Sequence, residues 1–448
     1  MIIKNRATLM ESGSVEPKKV AINLFEEGIN SSLPGKAIRN HLRVGEDSLF
    51  SGEVGYNLAP VDRVLVIGGG KASLGMAKAV ESAIGSIVDK GLIVTKRGGI
   101  ERGLKKIKIR EAAHPVPDMA GVKATEELLE IAGGAGKRDL VIVLISGGGS
   151  ALLSCPVEGI ELSELQSLTE DLLETGASIE EINAVRKRLS RIKGGRLARA
   201  IHPAKGLALI ISDVVGDNLN YIASGPTVPE ESKLGKALKV LKKYDLKENH
   251  SRIVDLLKEG DQKTDPVGEE EFSKFEIQNQ IIASNETALL AMANKAEKTN
   301  INPMIISSRL EGDSRMVGKL SGQLARSVYE EGHPLSRPAI LLSGGETTVT
   351  LSGNYGKGGP NQEFTLAGGR EIIGIPNSLI GAIDSDGEDG STEIAGGLVS
   401  GEEKVSRDKI NSYLENHDSF GLLKKIDGAI ITGQTGTNVN DLRMALIL

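Results

Sequence analysis

The chain reads as a two-domain α/β protein. Three observations predict this: short apolar runs alternate with amphipathic stretches of helical period, most of those runs end in Gly, Ser, Asp or Thr, and 448 residues exceed what one hydrophobic core organises. Such alternation is the mark of βαβ units. The expected architecture is an N-terminal Rossmann-like parallel sheet flanked by helices, then a smaller C-terminal α/β domain, with the active site in the cleft between them.

The strands are expected where the apolar runs are densest: Val64 to Ile67, Leu92 to Val94, Leu140 to Ile145, Leu207 to Ile211, Ile281 to Ala283, Met304 to Ile306, Ala339 to Leu342, Leu379 to Ile383 and Ala429 to Ile431. Ligands of open parallel sheets bind beyond the carboxyl ends of the strands, so the residues closing each run are the ones to read for chemistry. The stretch Lys258 to Lys274 is rich in charge, carries Gly260, Pro266 and Gly268, and has no sustained apolar period. It reads as a surface linker and puts the domains at 1–270 and 271–448. The helical stretch before Gly35 can pack on either domain.

Composition narrows the function. A net charge of -6 argues against a nucleic-acid partner, whose phosphates call for a basic surface. The single cysteine, Cys155, excludes an internal disulfide framework and a Cys-rich metal site. No leader-like or bilayer-length apolar stretch is present, so a cytoplasmic location with no membrane partner is expected. The 55 glycines gather after apolar runs, as in tight strand-to-helix turns.

Two of these turns stand out. Val64 to Ile67 runs through Gly68, Gly69 and Gly70 into Lys71-Ala72-Ser73, where helix N-terminal N–H groups and the Lys71 ammonium would favour an anion. The turn is neither a Walker loop, because Ala72 follows the lysine, nor a dinucleotide fingerprint, because Ser73 replaces the third glycine and the next strand closes on Thr95-Lys96-Arg97. Leu140 to Ile145 leads in the same way into Ser146-Gly147-Gly148-Gly149-Ser150, a second anion cradle in which the serines read as helix caps.

Asn183 to Arg196 packs many cations into one helix and the turn after it. Its ordinary reading is a solvated basic face, but Arg186 and Lys193 are candidates for holding a carboxylate or phosphate. The strand Leu207 to Ile211 ends in Ser212-Asp213-Val214-Val215-Gly216-Asp217, whose carboxylates can orient a hydroxyl or bind Mg²⁺. Asp384-Ser385-Asp386-Gly387 lacks the complete spacing of a calcium loop and reads as an acidic strand-end turn. His114, within His114-Pro115-Val116-Pro117-Asp118, reads as part of a rigid proline turn.

Taken in order, these motifs resemble the glycerate 2-kinase family whose C-terminal portion is called the MOFRL domain. The resemblance also carries Ser284-Asn285, Leu310 to Arg315, Ser343 to Val349, Gly358 to Glu363 and Thr435 to Asp441, and it covers nearly the whole chain. It departs at Arg188, where many relatives carry His, and at Pro360, where many carry Arg; were that Arg to serve the transferred phosphate, Lys357 or another cation would have to substitute. The resemblance implies transfer of a phosphoryl group from ATP, with Mg²⁺, to the 2-hydroxyl of D-glycerate, giving 2-phosphoglycerate.

The catalytic residues implied are Lys71 for the charge of the moving group and Asp213 for the hydroxyl. Gly69, Gly70, Ser146, Gly147, Gly148, Gly149, Arg186, Lys193, Ser284, Asn285, Glu346 and Asn361 are expected to bind substrate or phosphate, with Asp217 or Asp386 on the metal. A homodimer is compatible with this reading. The competing readings are an NADP-linked hydroxy-acid oxidoreductase, from the first glycine turn and Lys96-Arg97, and a non-catalytic sugar-phosphate sensor.

Overall fold

The computed structural model describes residues 1–98, 103–230, 234–259, 265–351 and 355–448. It divides into two compact units, Ala37–Ile282 and Met1–Lys36 with Ala283–Leu448. The expected boundary at 270/271 differs from this in two places. β9 (Ile277–Ala283) joins the first unit's sheet, and the segment 1–36 belongs with the C-terminal part. Of the expected linker, Gly260 lies outside the described residues, while Val267 pairs by its N–H with the carbonyl of Gly194 inside the first unit.

In that first unit, β1 (Leu42–Val44), β2 (Ser48–Ser51) and β3 (Val54–Asn57) form a small antiparallel sheet. The main sheet is built from β4 (Val64–Gly69), β5 (Val88–Lys96), β6 (Ile107–Ala112), β7 (Leu140–Ile145), β8 (Lys205–Ile211) and β9, in the order β6-β5-β4-β7-β8-β9. The ladders β5·β6, β4·β5, β4·β7 and β7·β8 are parallel. β4 and β7 are buried at every position, as apolar runs covered on both faces must be. On one face Ala124, Leu128 and Ala132 of the helix Met119–Gly133 meet Leu65, Val141 and Val143. The chain runs outward from β4 in one direction, then returns to β7 and runs outward in the other. Strand order therefore reverses between β4 and β7, the point at which such sheets open a ligand crevice.

The same unit holds a satellite core of helices. Leu165, Leu168 and Leu172 pack with Ile182 and Val185 of the helix Ile179–Arg186 and with Val240, Ile253 and Leu257. Ser178 and Glu181 close a capping box that starts that short helix.

The second unit holds β10 (Asn302–Leu310), β11 (Ala339–Gly345), β12 (Ser378–Asp384), β13 (Gly396–Ser400), β14 (Ala429–Ile430) and β15 (Asp441–Ile447), ordered β10-β11-β15-β12-β13-β14. β10 and β11 are parallel; β15 runs antiparallel to both β11 and β12. Ile380 and Ala382 pack with Val328 and Phe364, whereas the alternate position, Gly381, lies against Phe25 of the helix Val15–Ser32. That helix is thereby part of this unit's core. Its Lys18 forms a 2.7 Å ion pair with Glu403, with side chains 0% and 1% exposed.

Candidate functional site

The first glycine turn does not present the N–H groups expected of it. The amide of Gly70 donates to Val94 O, Lys71 to Gly147 O at 2.8 Å, Ala72 to Ser146 Oγ at 3.0 Å and Ser73 to Gly70 O. A side chain at Gly69 would strike Leu153, and one at Gly70 would strike Ser146. These glycines let the two turns lock together, so the backbone there is spent on packing. What the turn presents is Lys71, exposed and without a hydrogen bond or ion pair among the described residues.

The second turn is different. Neither the Gly147 nor the Gly148 N–H has a partner among the described residues, although Gly147 is buried. Unpartnered buried N–H groups are rare and costly, and they mark a place where an acceptor belongs. Gly148 adopts φ +79, open to glycine with little strain, and a Cβ there would contact both the His114 ring and the Lys71 stem. A Cβ on Gly147 would land on the Asp213 carboxylate. Lys71, His114, the Gly147-Gly148 backbone and Asp213 therefore share one small space at the carboxyl ends of β4, β6, β7 and β8.

Burial raises the Asp213 carboxyl above its ordinary range, partly offset by the nearby Lys71 ammonium. Burial lowers His114 to about 4, with Lys71 and Lys96 adding to the effect. Its sequence setting alone makes His114 a turn residue and nothing more. The signal was its position just past a strand end, but β6, with its alternating Lys108 and Arg110, did not stand out as a strand.

The Asn183 to Arg196 block is not a solvated basic face. Lys187, Arg188, Lys193 and Arg196 are buried. Lys187 pairs with Glu230 and donates to Asn220 Oδ1 at 3.1 Å, Arg188 pairs with Asp265 at 2.5 Å, and Arg196 donates to the carbonyls of Lys187 and Ser190. Two cations remain. Lys193, 2% exposed, donates to Leu153 O at 2.8 Å and pairs with no acid among the described residues; burial, with the neighbouring Arg186, brings it down to about 7. Arg186 has no hydrogen bond or ion pair among the described residues, and burial lowers its pKa too. Two adjacent cations, Lys193 buried and Arg186 half-buried, with no carboxylate on them among the described residues, form a site that an anion would complete.

Beside them, Ser150 Oγ and Ser224 Oγ lie 2.8 Å apart, and Ser224 donates to Asn183 Oδ1 at 3.0 Å. Ala223 and Ser224 hold left-handed backbones, φ +51 and +60, a strain that gathers at functional turns. Asp217, also left-handed at φ +58, follows Asp213 on the same loop.

In the second unit, Ser284 caps the helix Asn285–Glu297. Asn285 donates to the carbonyls of Val439 and Asp441, both at 2.8 Å, and Glu346 is exposed just past β11. Asn361 is buried and donates to Asp441 Oδ1 at 2.6 Å and to Asp389 Oδ1 at 3.2 Å. Pro360 opens the helix Pro360–Ile372 after Gly359, and the next two amides, of Asn361 and Gln362, both donate to Asp389 at 3.0 Å. That helix start is thus satisfied from within the unit.

Asp386 Oδ1 accepts from the Glu388 N–H at 3.0 Å, and Asp384 Oδ1 accepts from the Asp386 N–H, the acidic strand-end turn expected. Among the described residues no three His, Cys, Asp or Glu side chains gather as metal ligands. The carboxylates present suit a cation that brings most of its oxygen ligands with it, as Mg²⁺ on a nucleotide does.

Residues 20–258 match a domain of unknown function, DUF4147, and residues 339–441 match the MOFRL family. A glycerate 2-kinase of Pyrococcus horikoshii is 40% identical over 442 residues, covering 97% of this chain and 98% of that protein. The chain belongs to the glycerate 2-kinase family. A crystal structure of glycerate kinase from Thermotoga maritima shares this fold, with a TM-score of 0.83 at 37% identity over 96% of this chain and 99% of that one. A relative from Agrobacterium vitis, 38% identical over 98% of this chain and 96% of its own length, carries the name putative hydroxypyruvate reductase. No described helix is long and apolar enough to cross a membrane.

Proposed function

We propose that this protein is a glycerate 2-kinase, transferring the terminal phosphoryl group of ATP to the 2-hydroxyl of D-glycerate. The observation that carries the reading is an ammonium and a carboxyl, Lys71 and Asp213, beside two unpartnered N–H groups at the β4/β7 reversal. Phosphoryl transfer needs little covalent help from a protein; it needs in-line positioning, a cation for the moving charge and an acceptor for the hydroxyl proton.

In this reading the glycerate O2 attacks the γ-phosphorus, the bond to the β-phosphate oxygen breaks, and the hydroxyl proton passes to Asp213. The raised pKa of Asp213 suits a proton acceptor. Lys71 lies over the transferred group. The Gly147 and Gly148 N–H groups hold one of its oxygens or the glycerate carboxylate, while Arg186 and Lys193 supply the charge opposite the other anionic end. Asp217, or on the sequence reading Asp386, would be the protein carboxylate for Mg²⁺, which would supply charge neutralisation for the transferred phosphoryl group.

The spent amides of residues 70–73 weigh against the oxidoreductase reading, because a dinucleotide pyrophosphate needs them unpaired. The test is an ATP-dependent assay on D-glycerate coupled through enolase without phosphoglycerate mutase. Signal in that format is the expected result. Signal only after mutase is added means 3-phosphoglycerate and overturns the assignment. NADPH oxidation with hydroxypyruvate in place of kinase activity would favour the reductase.

A further inference from the structure

We propose that His114 is a substrate-contacting residue, its imidazole N–H donating to the anion held over the Gly147-Gly148 turn beside Lys71. The ring lies past the carboxyl end of β6, on the same sheet edge as the two glycine turns. It is partly buried against Gly148, where it shares with the Lys71 stem the space a side chain would fill. Neither ring nitrogen has a hydrogen-bond partner among the described residues, and neither has the Lys71 ammonium. Three kinds of donor, a lysine, an imidazole and two backbone amides, are therefore unspent around one point. An acceptor with several oxygens would satisfy them together.

A structural proline turn explains the position of His114 but not its unpaired ring. The charged groups that bear on the ring are Lys71, from the turn after β4, and Lys96, from the end of β5. Beside them the imidazole stays neutral through the physiological range, so it donates a hydrogen bond without adding a third positive charge that would repel Lys71. Arrival of an anion reverses part of that bias and favours the protonated ring. The contact is consequently expected to strengthen when a dianionic phosphoryl group is present.

The proposal rests on the kinase reading only for the identity of the anion, and its test separates the two. In full-length protein with labelled histidines, the His114→Gln variant assigns the His114 signal among the six. That signal should report a neutral ring down to about pH 5 and should move on addition of inorganic phosphate or ADP. In kinetics, His114→Ala should lower kcat/KM by about 10–100-fold, the scale of losing one hydrogen bond to a charged group, and His114→Gln, which keeps an N–H donor, should recover most of it.

A His114 signal indifferent to phosphate, ADP and glycerate overturns the proposal, as does His114→Ala with wild-type kcat/KM. Equal losses in both variants with a lowered melting temperature also overturn it, because they assign the ring to the proline turn. A response to phosphate without any turnover of glycerate would leave His114 as an anion contact and remove the kinase reading.

Discussion

Lys71 and Asp213 follow β4 and β8, the strands on either side of β7, but answer different demands, and their variants should separate kinetically. Lys71→Ala removes charge stabilisation that matters most in the transition state, so steady-state kcat is expected to fall by about 10²–10³. Asp213→Asn should damage kcat far more than the KM for ATP; a loss confined to KM would reduce Asp213 to a binding group.

Lys193 gives a pH prediction. Its native pKa of about 7 lies below the ordinary 10.5, so between those values the unfolded chain binds more protons than the folded one and stability rises with pH. The cost of burying the ammonium is full below about pH 7. Lys193→Met should therefore raise the thermal midpoint, by about 2 °C or more at pH 6 and by less at pH 9. A bound anion favours the ammonium, so the KM for glycerate should climb by up to about tenfold per pH unit above about 7, and the climb should vanish in the variant. The sequence text showed these cations as a run. It could not show which are neutralised, since the acids that pair Lys187 and Arg188 lie 43 and 77 residues farther on.

At the scale of elements, every expected strand is present, because each is an apolar run with no polar alternation to obscure it. The ones that escaped have other signatures: β1, β2 and β3 are only 3, 4 and 4 residues long. β6 alternates charge as an edge strand does, β13 is the glycine-rich Gly396–Ser400, and β15 carries the buried Arg443 in an otherwise apolar run. The glycine turns were legible as turns, but their division of labour was not. Only the hydrogen bonds show that the first is closed against β5 and the second turn, and the second left open. Gly147→Ala tests this, because the new methyl group would displace the Asp213 carboxylate. The expected result is a fall in kcat of about 10²-fold, the cost of misplacing a reacting group by an ångström, with the unfolding midpoint little changed. Unchanged turnover would show that Asp213 has room to move and that its place is not critical.

On the scale of the molecule, the segment 1–36 was the least legible part, since an amphipathic helix states that it packs without stating where. The buried pair Lys18–Glu403 is the physical answer. Removing one partner strands the other: Lys18→Met should cost about 3–5 kcal/mol, whereas Lys18→Met with Glu403→Leu should regain much of that loss. Calorimetry of the single and double variants measures it, and a neutral single variant would mean that the pair contributes nothing to docking the helix.

The interleaving of Met1–Lys36 with Ala283–Leu448 also sets an order of events on the ribosome. The helix Val15–Ser32 emerges before the unit Ala37–Ile282, yet its binding surface is encoded after Ala283, roughly 250 residues later, on the order of 10–50 s of synthesis. Through that interval Phe25, Ile22 and Ile29, all buried in the finished protein, have no native partner, while the unit Ala37–Ile282 has everything it needs to fold. The nascent chain thus carries the apolar face of that helix uncovered ahead of a folded domain, for a time that slower translation prolongs.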